Sequence, residues 1–382
     1  MVPTLSSTET LMEFTVSKAD LVRELSLSQG VVEKKTTIPI LSNVLVEAVD
    51  GSIQLTATDL ELGVRVSCPA RVKKQGAGTI PAKKLLDYVR LLPDSDLDVK
   101  IQENHWASLT CGRSRTRIAG MSRESFPELP KMPEAMAEIP VKVLAGMISR
   151  TIFAISMEES RFTLNGALLL LKPTGIVMVA TDGHRLAMVE TALDMPSIVG
   201  QYRALMPRKA MAEVLKLGAE ASADAAIEFS GDDNHLFFRL GERLLLSRKL
   251  TGNFPDYERV LPKEHPHAIQ IARDELRAAV ERVSQFSDER SRAIRAKFAP
   301  GELSVHSSLS DTGESEETLA IEYTGEPMEI GFNATYILDF LRAIPEEQIT
   351  FLIRDPNSAG ELRPAGGAEG SEYRYVVMPM RI

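Results

Sequence analysis

Apolar and polar positions along the chain follow two rhythms. In "TIPAKKLLDYVRLLP" (Thr79–Pro93), Leu85, Leu86, Val89 and Leu92 fall on one helical stripe, with Lys83, Asp87 and Arg90 on the other face. Elsewhere apolar residues recur at every second position, as in Leu60, Leu62, Val64 and Val66, the period of half-buried strands. The helical segment returns as "LMPRKAMAEVLKLGA" (Leu205–Ala219) and "IGFNATYILDFLRAIP" (Ile330–Pro345), so that Ile80, Met206 and Phe332 stand at successive intervals of 126 residues. A second helical signal also comes three times, each after a strand end: "TVSKADLVREL" (Thr15–Leu25), "PVKVLAGMISRTIFAIS" (Pro140–Ser156) and "ARDELRAAVERVSQF" (Ala272–Phe286). In the last, Leu276, Val280 and Val283 form the buried stripe. "SFPELP" and "NFPDYERVLP" close the first two units, and "YVVMPMRI" closes the third.

Three copies of one unit account for nearly the whole length. Each has two helices and several antiparallel strands, an α+β unit with helices on one side of a sheet. The expected division is a disordered extension over 1–12 and repeated domains over 13–131, 137–263 and 264–382. Stacked copies build a long surface or a closed ring.

Of the 382 residues 44% are apolar and 25% charged, a soluble composition, and no apolar run approaches the ~20 residues that span a bilayer. The start lacks a basic segment followed by an apolar one, which argues against a signal peptide. Cys68 and Cys111 are too few for a zinc motif or disulfide framework and fit a reducing cytoplasm. A formal net charge of −9 argues against a molecule coated in positive charge, but not against one with a single basic face. The helices and their flanks carry such a bias: Lys18, Arg23, Lys34, Lys35, Lys83, Lys84 and Arg90, then Arg150, Arg208, Lys209 and Lys216, then Arg273, Arg277, Arg282 and Arg342. Acidic residues crowd instead into Asp311–Glu329. Lys and Arg on helices with few aromatics suit contact with duplex phosphates rather than base reading. Any one of them alone reads better as a solvated side chain; only recurrence in three units favours the phosphate reading.

"VATDGHRLAM" (Val179–Met188) sets Asp, Gly, His and Arg side by side, and "TATDLELGV" (Thr56–Val64) has the same Ala-Thr-Asp frame 123 positions earlier without the His and Arg. Asp182 and His184, two apart on a strand, would share a face as an acid–base pair requires. No nucleophile motif, phosphate loop, metal spacing or carboxylate pair accompanies them, so a shared frame with one specialised copy is the better reading.

Taken together, "TATDLEL", "IPAKK", "RFTLNG", "VATDGHRLA", "MPRKA", "FPDYERVLP", "IGFNATYILD" and "YVVMPMRI" resemble the bacterial DNA polymerase III beta subunit, the sliding-clamp family, in the same order from Glu13 to Ile382. The resemblance implies a DNA clamp fold: two three-domain subunits joined head to tail as a ring around duplex DNA, with sheets outside and helices lining the hole. It implies a tether without catalysis or cofactor, acting in the cytoplasm. It also implies a pocket between the second and third domains for short apolar-and-acidic peptide motifs of the replicative polymerase, the clamp loader and repair proteins. Carried onto this chain, that pocket comprises Leu164, Thr181, Gly183, His184, Arg185, Leu186, Pro255, Arg259, Val260, Asn333 and Tyr336, with Val376, Val377, Met378, Pro379, Met380 and Arg381 of the tail. His184, Arg185 and Arg381 would donate hydrogen bonds to the peptide. For DNA, resemblance and charge favour Lys35, Arg208 and Lys209, then Lys83 and Lys84, with Phe162 keeping one ring of a family aromatic pair whose second member is here Thr163. The subunit seam would set Arg113, Arg115 and Arg117 of "CGRSRTRI" against Glu314, Glu316 and Glu317, a cluster that also reads as a solvated loop. Ser291 stands where some relatives carry an aromatic at the pocket edge, which would open that edge. "ELRPAGGAEGSEYR" (Glu361–Arg374) is expected to be a mobile loop near the rim. A peptide-binding scaffold that does not encircle DNA is the remaining alternative.

Overall fold

The structure, a computed structural model, describes residues 9–32, 37–309, 311, 313–367 and 370–381. Among them one run of elements is played three times. The first is β1 (Thr10–Ser17), α1 (Lys18–Ser28), β2 (Asn43–Val49), β3 (Ser52–Thr58), β4 (Leu62–Lys74), β5 (Gly76–Pro81), α2 (Ala82–Leu91), β6 (Asp96–Gln102), β7 (Trp106–Cys111) and β8 (Ser114–Ala119). The second is β9 (Ala137–Pro140), α3 (Val141–Thr151), β10 (Gly166–Lys172), β11 (Gly175–Thr181), β12 (Arg185–Ala192), β13 (Tyr202–Pro207), α4 (Arg208–Gly218), β14 (Ala226–Gly231), β15 (His235–Leu240) and β16 (Arg243–Arg248). The third is β17 (His267–Ala272), α5 (Arg273–Val283), β18 (Ala293–Ala299), β19 (Glu302–Leu309), β20 (Gly313–Ala320), β21 (Met328–Asn333), α6 (Ala334–Ala343), β22 (Gln348–Ile353), β23 (Gly360–Pro364) and β24 (Ser371–Val377).

The chain packs as two compact units, and the cut runs through the middle repeat: Met1–Val141 with Lys209–Lys249, and Lys142–Arg208 with Leu250–Ile382. In the first unit an antiparallel sheet runs β8-β7-β6-β1-β4-β16-β15-β14-β9, with β3, β2 and β5 branching from β4. The long β4 makes the branch possible, because Leu62–Arg65 pair with β16 while Ala70–Lys74 pair with β1. Helices α1 and α2 pack together. Ser17 caps α1 by accepting from the Asp20 N–H, and the expected stripe of α2, Leu85, Leu86, Val89 and Leu92, is buried.

The second unit holds the sheet β13-β10-β11-β12-β24-β23-β22-β17 and a smaller one, β20-β19-β18-β21. Here α5 and α6 pack together, with Leu276, Val280 and Val283 buried. β12 pairs with β24 from Arg185↔Val377 to Thr191↔Ser371, so strands of the second and third repeats share one sheet. β10 and β11 lack alternation and are buried almost throughout, as strands covered on both faces are.

Three expectations need correction. Of the extension expected over 1–12, residues 1–8 lie outside the described residues, and Thr10–Met12 belong to β1, because Met12 is fully buried and its strand pairs with β6. Leu60 is not part of an alternating strand: β4 begins at Leu62, and Leu60 is a half-exposed turn residue at φ 77°. Glu361–Arg374 is a loop only in its middle, of which residues 368–369 lie outside the described residues; its ends lie in β23 and β24, held by the fully buried Glu361 carboxylate. Oε1 of Glu361 accepts from Arg363 Nε at 2.6 Å and Arg374 Nε at 2.7 Å, and Oε2 meets His265 Nε2 at 2.7 Å. Arg374 also donates to the Pro262 carbonyl, fastening the connection between the second and third repeats.

Both cysteines are buried and unpaired. Burial, followed by Asp20 and Glu24, pushes the Cys68 thiol up to about 12. Among the described residues no helix is long and apolar enough to cross a membrane.

Burial pushes the Glu361 pKa up, but Arg374 and Arg363 outweigh it and hold it below the ordinary 4.5. A carboxylate depressed in the folded state contributes stability that is present above its unfolded pKa and is lost as pH falls through the folded value. Glu361→Ala is therefore expected to cost about 3 kcal/mol at pH 7, since it strands the half-buried guanidinium groups of Arg374 and Arg363. Urea unfolding of wild type and variant should show that gap narrowing as pH drops below 4.5.

Candidate functional site

The Ala-Thr-Asp frame is a hydrogen-bonded turn built twice. At β11–β12 the Thr181 hydroxyl donates to the Arg185 carbonyl and accepts from the Gly183 N–H, while Asp182 Oδ1 accepts from the N–H groups of His184 and Arg185. At β3–β4, Thr58 donates to the Leu62 carbonyl and accepts from the Leu60 N–H, and Asp59 Oδ1 accepts from Glu61 and Leu62. The third turn residue needs positive φ in both, 90° at Gly183 and 77° at Leu60. Glycine adopts that conformation without strain, leucine only at a cost. The Asp182 oxygens are thus spent on the turn and on Arg185, so Asp182 and His184 form no acid–base pair, and they lie in a turn rather than on one strand face.

In the second unit this turn edges an apolar cavity of about 120 Å³, lined by Leu164, Thr181, Gly183, Arg185, Leu186, Pro255, Tyr257, Val260, Val376 and Met378. Beneath it lies a core of Leu168, Leu170, Val177, Val179, Leu205 and Phe254. Drug-sized ligands occupy roughly 300–1,000 Å³, so this opening suits one or two apolar side chains of a larger partner. The strand pair Leu186↔Val376 brings the floor together, and Met378, 39% exposed, gives the rim a deformable edge.

Arg185 does not offer its donors to a ligand. Its Nε pairs with Asp182 Oδ2 at 3.1 Å, Nη1 with Asp339 Oδ2 at 2.6 Å, and Nη2 donates to the Phe153 carbonyl at 2.6 Å. The guanidinium lies over the Tyr336 ring at 4.4 Å and over Phe153 at 5.5 Å. Burial alone would push its pKa down; Tyr375, Asp339 and Asp182 outweigh that and raise it. Arg185 is the clamp that fixes the turn to α6, and the expectation of a peptide-binding donor is corrected by this full set of partners.

Other expected pocket residues stand around the cavity rather than in it. His184 is exposed, and its carbonyl accepts from the Met378 N–H. Arg259 is 86% exposed and pairs with Asp256 at 2.8 Å. Asn333 caps α6, accepting from Thr335 and Tyr336 and donating to the Ser291 carbonyl. Val377 is buried on the opposite face of β24 from Val376. Pro379, Met380 and Arg381 run on past the cavity, with the Met380 N–H bonded to the Gly331 carbonyl. Tyr257 was not anticipated; the aromatic in "NFPDYERVLP", where the first repeat has Leu129, was the available signal.

Lys35 lies outside the described residues. Lys83 pairs with Asp87, and Lys209 with the nearly buried Asp59. Lys216 pairs with Glu213, Arg273 with Asp274, Arg282 with Glu317 and Arg342 with Glu281. Lys84 has no carboxylate partner among the described residues, Arg208 opens α4, and Phe162 is 71% exposed. Arg115 and Arg117 are exposed on β8, an edge strand, with Arg113 in the turn before it. Glu314 and Glu316 are exposed on β20, also an edge, but Glu317 points to the other strand face and is spent on Arg282. That removes Glu317 from the expected acidic set. The Ser291 N–H donates to Asp288 Oδ1 at 2.9 Å. Thr163 packs against Gly252, where a side chain would collide with it. No group of three metal-ligating side chains gathers among the described residues.

Three family models match in succession: the DNA polymerase III beta subunit N-terminal domain over residues 12–130, its central domain over 138–256 and its C-terminal domain over 258–381. The chain is 35% identical over 378 residues to the beta sliding clamp of Pseudomonas aeruginosa, covering 97% of this chain and 100% of that one. To the beta sliding clamp of Chlamydia muridarum it is 32% identical, covering 97% and 99%. Among solved structures it is similar to a Pseudomonas aeruginosa DnaN sliding clamp bound to griselimycin, with TM-score 0.90, 35% identity and coverage of 97% and 100%. It is equally similar to the Bartonella birtlesii clamp bound to griselimycin, with TM-score 0.90, 34% identity and the same coverage.

The assignment of Arg185 to the scaffold separates it from its neighbour. Arg185→Met is expected to destabilise the fold by about 3 kcal/mol, because it leaves Asp182 and Asp339 without their partner. His184→Ala should leave the urea midpoint where it is. Equal midpoints for the two variants would contradict the assignment.

Proposed function

The chain belongs to the DNA polymerase III beta subunit family and has its three-domain α+β clamp fold, and from that premise we propose how it works. It is a DNA sliding clamp, a processivity factor without catalysis, which dimerises and partners DNA and the polymerase. In our reading two copies close head to tail into a ring around duplex DNA, each copy contributing clamp domains over 13–131, 137–263 and 264–382. The ordered match of three consecutive domain models over 12–381 is the observation that carries this reading.

A ring holds DNA by topology, so affinity for phosphate is free to be small. The helix charges suit that demand. Lys84 and Arg208, which meet no carboxylate among the described residues, attract the backbone, with the Arg208 guanidinium donating to the Met157 sulfur, whereas Lys83, Lys209, Lys216, Arg282 and Arg342 face acidic neighbours that blunt their pull. Fewer phosphates neutralised means weaker, less salt-dependent binding and easier sliding. We assign DNA contact to Lys35, Lys83, Lys84, Phe162, Arg208 and Lys209, with Lys84 and Arg208 leading. The cavity beside the Thr181 turn would take the apolar side chains of short motifs from the polymerase, the clamp loader and repair proteins, while His184, Arg259 and Arg381 meet their acidic groups at the rim. The seam would join Arg113, Arg115 and Arg117 of one copy to Glu314 and Glu316 of the other, in the cytoplasm.

Loaded onto circular duplex, the protein should stay bound through a high-salt wash and leave within minutes of linearisation. Equal loss from both templates would contradict encirclement. Met378→Asp should weaken an apolar-and-acidic peptide at least ~10-fold, by setting a charge at an apolar anchor pocket. The mass of the dimer should not change. Unaltered peptide affinity would remove the pocket assignment and leave the ring standing.

A further inference from the structure

Trp106 is the only tryptophan of the chain. It lies on β7, 39% exposed, on the solvent face of its sheet, while Ala107, Leu109 and Cys111 of the same strand turn into the core. A large apolar ring left on that face is an unsatisfied surface. It stands opposite Ala119 of the edge strand β8, on the same face as Arg115 and Arg117. The Arg117 guanidinium lies over its ring at 4.9 Å and also donates to Gln102 Oε1 at 3.2 Å.

We propose that Trp106, with Arg117 stacked on it, is the anchor of the seam between two copies of this chain, and that its partner is the β20 edge of the second copy. The inference rests on the head-to-tail reading above and names the residue that gives that seam its strength. Three features point to this occupant rather than to another macromolecule. β8 ends its sheet, so its outward N–H and C=O groups are open to a further strand. β20 ends its own sheet in the same way. The side chains then match by sign and by period: Arg115 and Arg117 recur two apart on one face of β8, and Glu314 and Glu316 do so on β20. Charge at a rim selects the partner and speeds encounter, whereas a desolvated aromatic with a fixed arginine carries the strength of an interface. The cation–π contact already holds Arg117 in place, so less of its freedom is lost on association. An exposed tryptophan beside arginines could instead stack on an unpaired base, and the test includes that case.

The sole tryptophan reports on its own surroundings. As the wild-type dimer is diluted to monomers, tryptophan emission should shift to the red in step with the mass change. Trp106→Ala should raise the dimer dissociation constant by ~30-fold or more, as loss of a central aromatic does. Trp106→Phe, which keeps a ring under Arg117, should recover most of that loss, with far-UV circular dichroism unchanged in both. A wild-type dimer whose emission ignores dissociation, or a folded Trp106→Ala protein that dimerises as tightly as wild type, overturns the anchor and leaves the ring intact. Loss of binding to single-stranded oligonucleotide in Trp106→Ala, with dimerisation untouched, overturns it in favour of base stacking. A wild-type chain that stays monomeric at tens of micromolar overturns the pairing of copies itself.

Discussion

The pairing of β12 with β24 is the constraint on which the pocket depends. A strand of the second repeat and the last strand of the third meet in register, and that register sets Leu186 against Val376 and Arg185 against Val377. A slip of one residue would turn every side chain of β24 to the opposite face. The apolar floor would then lose Val376 and gain Tyr375, which now lies wholly buried and donates to the Tyr336 carbonyl. Two polar devices hold the register, one at the Arg185 end and one at mid-strand. Arg185 locks the turn to Asp339, and Glu361 gathers Arg374, Arg363 and His265.

The same joint recurs in the first unit, where β4 meets β16, and the two turns carry the same hydrogen bonds. Their difference lies in what surrounds the turn. In the second unit Leu186 and Tyr257 leave room above the sheet. In the first, Gly63 takes the place of Leu186, and Leu129 closes over it at a distance that would crowd an added Cβ at 3.1 Å. One frame therefore yields an open cavity or a filled one according to a few apolar residues.

Much of this was legible in the sequence. Six helices, three of them at a fixed interval of 126 residues, the buried stripes of α2 and α5, and the pairing of motifs across repeats needed only periodicity, because burial on one face leaves a periodic trace. Where burial covers both faces, as in β10 and β11, the trace disappears and only apolar content remains. Polar residues were the harder case. Arg185 and Arg259 look alike in sequence, yet one is spent inside on two carboxylates and a carbonyl while the other is exposed and holds only the surface carboxylate of Asp256. Which of them is available to a partner depends on Asp339, more than 150 positions away, and no local pattern carries that information. Glu317 failed for a related reason: strand parity sent it toward Arg282, whereas counting acidic residues could not say which face each would take.

The two buried cysteines have a practical consequence. With Cys68 shut in the core and its thiolate disfavoured at neutral pH, and with Cys111 equally enclosed, the native protein presents little for maleimides or other electrophiles to modify. A single cysteine introduced on either edge strand would be the one reactive thiol on an otherwise silent background. Fluorophores or spin labels could then be attached there without first stripping the natural residues from the interior.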